Sequence, residues 1–191
     1  MVLEQVQSFV YLGSLFTSDA RCEKEIRKRI GIAKAAFTSM NKVLTSRNIS
    51  IKVRLRVLKC YVWSTLLYGC ETWTISGVML KKLGAFETWL YRRMLKISWK
   101  DKVTNEEVYH RIKTKKALVQ DIVRRQLSFL GHILRKDELE KLVVTGFVEG
   151  KRARGRQRET FLTYLSKMTN KSPHVLLRMA TRRDVWSKLC T

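Results

Sequence analysis

The chain has 191 residues, enough for one domain or two small ones with a sizeable core, and 45% of them are hydrophobic, which excludes a disordered basic tail. It carries 39 Lys and Arg against 16 Asp and Glu, a formal charge of +23, and such an excess repels itself in the compact state. A polyanionic partner is therefore expected, nucleic acid first and an anionic membrane surface second.

Proline occurs once, at Pro173, and glycines are few, which favours helices joined by short loops over a sheet sandwich. Residues 4–16 are the one strand-like stretch, with Val6, Phe9, Tyr11 and Leu15 interleaved with Val10 and Leu12 and broken at Gly13. A lone strand or hairpin is not stable in water, so this stretch reads as the remnant of a larger sheet. Asp19 is the expected N-cap of a long helix over residues 20–44. There Ile26, Ile30, Ala33, Phe37, Met40 and Leu44 make one apolar stripe, and Lys24, Arg27, Lys28, Lys34 and Lys42 lie opposite.

Ser50 then caps a helix running to Tyr68, with Gly69 as its stop. The stretch from Val57 to Trp73 is interrupted by charge only at Lys59 and Glu71. It is too short and too polar at its edges to span a bilayer, and is expected to be a helix buried on most of its faces, the hub of one core. Cys60 and Cys70 lie within it and, with Cys22 and Cys190, read as reduced, buried thiols of an intracellular protein. No secretory leader is recognisable at the start.

Ser76 caps the next helix, whose Leu80, Leu83, Phe86, Leu90, Met94 and Ile97 share a face, with Arg92 and Arg93 beside Tyr91 and Trp99 in the basic loop beyond. Thr104 and Glu107 fit a capping box. Residues 117–135 are a further amphipathic helix carrying Arg124 and Arg125. Five cations, Lys151, Arg152, Arg154, Arg156 and Arg158, follow without any helical stripe, as in a flexible arm that could bind phosphate or serve nuclear import. Helices over 159–169 and 173–189 close the chain, the latter with Ser172 as cap and Pro173 in its first turn. The expected fold is mainly α, a helical bundle with a small N-terminal β-hairpin remnant.

Signatures of catalysis are missing from the pattern. No Asp-Asp pair is present to hold two metal ions, the four cysteines form no Cys-x-x-Cys pair, and His110, His132 and His174 have no Ser or Cys at motif spacing. The densest acidic run, residues 137–140, reads as the acidic first turn of a short helix. No catalytic residue, metal or cofactor is expected for this chain. What remains is cations interleaved with Tyr91, Trp99, Tyr109 and Phe161, each equally a stacking surface or a core side chain.

Several stretches go further than composition. They are Phe9-Val10-Tyr11-Leu12-Gly13-Ser14-Leu15, the helix from Glu25 to Phe37, Leu66-Leu67-Tyr68-Gly69-Cys70-Glu71-Thr72-Trp73, and Tyr91-Arg92-Arg93-Met94-Leu95-Lys96-Ile97-Ser98-Trp99. Arg124 to His132 and Gly150 to Arg158 complete the set. In this order and spacing the chain resembles non-LTR, LINE-type retrotransposon reverse transcriptases over nearly its whole length, in the part that follows their catalytic aspartates. The resemblance implies a palm remnant over residues 1–18, with Tyr11 and Gly13 near the primer grip, and thumb helices over 19–75. It further implies a helical C-terminal extension over 76–147 and a basic arm with terminal helices over 148–191.

Carried over to this sequence, Arg27, Lys28, Lys34 and Lys42 would face a template–primer duplex. Arg92, Arg93, Arg124, Arg125 and the arm cations would add phosphate contacts. The palm's aspartate motif is not among the matched residues, so polymerisation by this chain alone is not implied. Phe161 to Leu165 departs from the family, whose members tend to have a Trp and acidic residues there, and residues 76–80 replace a more polar helix start. The expected activity is sequence-independent binding of RNA or an RNA–DNA hybrid, in the nucleus or cytoplasm, alongside the missing palm and fingers of a polymerase. The alternative is an element-derived helical interaction protein with a nuclear-import arm and no nucleic-acid role.

Overall fold

The computed structural model describes residues 5–146, 155 and 159–190. It is mainly α-helical, with one two-stranded antiparallel sheet. The chain divides into two compact units, one made of residues 1–69 and 75–120 and the other of residues 70–74 and 121–191. Among the described residues no helix is long and apolar enough to cross a membrane.

The first unit opens with a hairpin of β1 (Ser8–Tyr11) and β2 (Ser14–Thr17), in which Ser8 faces Thr17 and Tyr11 faces Ser14. The connecting residues Leu12 and Gly13 both have positive φ, +46° and +81°, as in a type I′ turn whose twist matches the strands. Its outer side leaves Phe9, Val10 and Leu12 in solvent. The turn is fastened from below. Arg29 donates to the Gly13 carbonyl at 2.7 Å, and the Tyr68 hydroxyl donates to the Leu12 carbonyl at 2.7 Å. Glu25 accepts from the Leu15 amide at 2.8 Å and also pairs with Arg29, so a buried ion pair fixes the hairpin on the next helix.

That helix, α1 (Glu23–Ser39), begins later than the capping logic predicts. The Asp19 carboxylate accepts from the Thr17 hydroxyl and the Arg21 amide instead, closing a tight loop, and Ala20 there has a φ of +50°. The apolar stripe is as expected through Phe37, all buried, but the helix breaks at Met40 and restarts as a single turn, α2 (Asn41–Leu44). Ser50 caps α3 (Ile51–Val57), accepting from the Val53 amide.

The expected hub helix runs on from α3 through a π-helical turn, Leu58–Trp63, into a short α4 (Ser64–Leu66). Leu58, Val62 and Leu66 are spaced by four and fully buried. Steps of four drift around a helix of 3.6 residues per turn, and the wider π turn absorbs that drift. Burial is one-sided, however: Lys59, Cys60, Tyr61, Ser64 and Tyr68 face solvent. The hub is a wall of the core rather than its axle, and Cys60 is exposed where a buried thiol was expected. Gly69 ends the run with a φ of +70°.

Ser76 caps α5 (Gly77–Leu95), which lays Met79, Leu83, Phe86, Leu90 and Met94 into the core. α6 (Asn105–Ile112) is capped by Thr104, but Glu107 does not complete the box; its carboxylate pairs with Arg111 at 2.7 Å. A buried Glu87 on α5 accepts from the Ala117 and Leu118 amides at the start of α7 (Leu118–Leu134).

The second unit contains α7 from Asp121 onward, α8 (Leu139–Thr145), α9 (Phe161–Thr169), α10 (Pro173–Ala180) and α11 (Arg183–Cys190). Gln126, fully buried on α7, donates to the Cys70 and Trp73 carbonyls at 2.9 and 2.8 Å and so holds the segment 70–74. Burial pushes the Cys70 thiol up to about 12. Gly131 lets Trp186 lie directly on α7, with the indole donating to the Leu127 carbonyl at 3.0 Å. The single terminal helix expected over 173–189 is two helices broken at Thr181, although Ser172 and Pro173 start the first as expected.

Candidate nucleic-acid interface

In the first unit the C-terminal end of α5 forms one wall of a cleft of about 850 Å³. Its making is local. Lys96 takes the left-handed conformation at the helix end, with its amide bonded to the Arg93 carbonyl and that of Ile97 to the Arg92 carbonyl. Ser98 then caps a short 3-10 turn, Trp99–Asp101, and Asp101 reaches back to the Ser98 amide at 2.6 Å. Arg92 ties the far side of this loop to the helix, donating to the Val103 carbonyl at 2.6 Å and to Asn105 Oδ1 at 3.0 Å. The loop is thus held at both ends and in its middle.

Trp89, half-buried on α5, is the floor. It stacks on Phe86 at 5.8 Å and meets Phe37 of α1 edge-on at 5.5 Å. Two cations lie against it: the Arg93 guanidinium at 5.5 Å from the ring centroid and the Lys34 ammonium at 5.4 Å. Cation–π attraction of this kind holds flexible basic side chains in place without neutralising them. Asn41, Thr45 and Lys96 also line the cleft, and no carboxylate is among its described lining residues.

The sequence-derived candidates separate into groups. Arg92 and Arg93 line this cleft and Lys34 lies against the ring of Trp89, with Arg93 and Lys34 free of ion pairs among the described residues. Arg27 and Lys42 are exposed, on α1 and α2. Lys28 sits against the hairpin turn, 3.4 Å from the Gly13 carbonyl that Arg29 also binds, so Gly13 offers its backbone to the protein itself. Tyr11 is exposed on β1, with its ring edge-on to Phe16. In the second unit Arg124 pairs with Asp121 at 3.0 Å and Arg125 with Glu71 at 3.6 Å. Lys151, Arg152, Arg154, Arg156 and Arg158 lie outside the described residues.

Of the aromatic side chains weighed for stacking, Tyr91 and Tyr109 are buried and bonded to Glu87 and Thr88, and Phe161 is half-buried. Trp99 is 84% exposed. Sequence reasoning passed over Trp89 and Lys96. The spacing of Trp89 and Arg93, four apart on a helix, was the available signal for the first.

The acids are engaged locally. Glu25, Glu71, Glu107, Asp121, Asp137, Glu138, Glu159 and Asp184 each pair with one cation. The Arg111 guanidinium holds the Glu107 carboxyl below the usual carboxylate range, and the Lys141 ammonium does the same for Asp137. Among the described residues no group of three or more His, Cys, Asp or Glu side chains is arranged to hold a metal ion.

The chain is 26% identical over 141 residues to a putative uncharacterized transposon-derived protein of Caenorhabditis elegans. The match covers 71% of this chain and 50% of that protein, so the chain spans about half the length of the curated relative it matches. No family model and no solved structure matches the chain.

Proposed function

We propose that this chain derives from a transposable element and grips RNA or an RNA–DNA hybrid through the phosphate backbone, without reading sequence. In this reading it is the thumb and C-terminal extension of a LINE-type reverse transcriptase, and it supplies binding rather than catalytic groups. The similarity to the transposon-derived Caenorhabditis elegans protein supports the transposon origin. The motif resemblance from Phe9 to Arg158 supports the narrower assignment.

The observation that carries the binding role is electrostatic. A formal +23 remains on a chain whose few carboxylates are largely taken up in local ion pairs and caps, while Arg93 and Lys96 line a cleft with no carboxylate among its described lining residues. Such cations bind phosphates and release condensed counterions, which makes the affinity steeply salt-dependent. Titration of a labelled hybrid duplex by fluorescence anisotropy is expected to show affinity falling at least about tenfold between about 50 and about 200 mM salt. The slope should be the same for unrelated sequences. Affinity indifferent to salt, or confined to one sequence, would overturn the proposal.

A further inference from the structure

Trp99 is the most exposed large apolar side chain described, at 84%, and nothing about its surroundings is loose. The Ser98–Asp101 capping pair, the left-handed end of α5 at Lys96 and the Arg92 bond to Val103 fix the backbone that presents it. An indole this large is ordinarily buried, because its apolar surface is worth covering. Here a capped turn holds it in water beside the cleft, whose described lining residues include no carboxylate. Trp89 forms the floor of the same cleft, with Arg93 leaning on its ring.

We propose that this cleft is a site for an unpaired stretch of nucleic acid, with one base stacked on Trp99 and the adjoining phosphate held by Arg93 and Lys96. The proposal rests on the nucleic-acid reading above and narrows it to a single-stranded ligand. The chemistry selects the occupant. Cations without a balancing carboxylate call for an anion, and a displayed indole calls for a flat, π-faced group beside it; a nucleotide supplies both. In a duplex the base faces are already stacked on one another, whereas a single strand can turn a base outward onto an aromatic ring. The volume, about 850 Å³, is in the range that encloses a drug-sized molecule, and so admits a nucleotide but not a double helix. Every base has a π face, so the site would accept all four and add affinity without specificity.

The test compares the full chain with its W99A and W99F variants by anisotropy at one salt concentration. Three probes are used: a single-stranded RNA of about ten nucleotides, a blunt-ended, fully paired two-strand RNA duplex of about equal total phosphate count, and the single strand with abasic positions throughout. W99A is expected to weaken single-strand binding about tenfold and to leave duplex binding within about twofold, with W99F close to the parent because it keeps a stacking ring. The abasic strand should bind the parent protein as weakly as the intact strand binds W99A. If W99A leaves single-strand binding unchanged, or weakens both ligands equally, the stacking site is refuted while backbone gripping stands. If the parent protein binds none of the probes, both proposals fall together.

Discussion

Arg54 shows how far a single side chain can depart from what its neighbours in sequence suggest. It sits between Val53 and Leu55 in a helix also carrying Lys52 and Arg56, and looks like one more solvated cation. It is buried. Its guanidinium donates to the carbonyls of Ile49 at 3.0 Å, Leu44 at 3.2 Å and Met94 at 2.9 Å. Two of these carbonyls close the C-terminal ends of α2 and α5, where unpaired backbone acceptors and the negative end of the helix dipole collect. One arginine therefore satisfies two helix ends and a loop at once. Arg54→Met should lower stability by about 3 kcal/mol in urea denaturation, because two buried carbonyls and a partly buried one lose a charged donor. Arg54→Lys should fall between, since an ammonium keeps the charge but not the fork. No local pattern distinguishes this arginine from its neighbours; only the fold around it does. Trp99 is the reverse case, a side chain whose sequence context allowed either fate until the turn beneath it was seen.

At the scale of elements, four helix starts were legible, while the start of α1 and the interruptions of helices were not. Ser50, Ser76, Thr104 and Ser172 each accept from the amide three residues on, a relation contained in four consecutive residues. The breaks at Met40 and Thr181 have no proline or glycine to announce them, and the π turn at Leu58–Trp63 answers to packing rather than propensity. Glycine inside helices shows the same divide. Gly84 on α5 has open space where a Cβ would stand, so Gly84→Ala should stabilise by up to about 1 kcal/mol. In Gly131→Ala the new Cβ would lie 2.1 Å from Trp186 Nε1, displacing the indole and breaking its bond to Leu127. That change should cost about 1–3 kcal/mol or more. Thermal denaturation of the two variants side by side should give shifts of opposite sign.

For the molecule as a whole, charge was the most legible property and the most consequential. The mainly α fold, with its small hairpin, followed from the scarcity of proline and glycine and from apolar stripes at helical spacing. The cleft did not, because it depends on Asn41 and Thr45, at the two ends of α2, meeting Trp89, Arg93 and Lys96 at the end of α5. A chain of +23, in which local ion pairs leave most of the cations unbalanced, is destabilised by its own field. Added salt screens that field, so the melting midpoint of the free protein should rise with ionic strength over the range in which its affinity for nucleic acid falls. Differential scanning fluorimetry across a salt series measures the first trend, and a midpoint that fell with salt would mean the cations are already balanced within the fold.

The wide turn between α3 and α4 has an effect on what sequence change this protein tolerates. Leu58, Val62 and Leu66 stay in line only because that turn holds one residue more than a regular one. Its outward positions Cys60 and Tyr61 can exchange side chains, whereas Lys59 lies over the Trp63 ring. An insertion there is another matter: one further residue swings the remainder of the helix by about 100° and carries Leu66 out of the core. The loss of one residue is absorbed instead, because it turns the wide turn into a regular one.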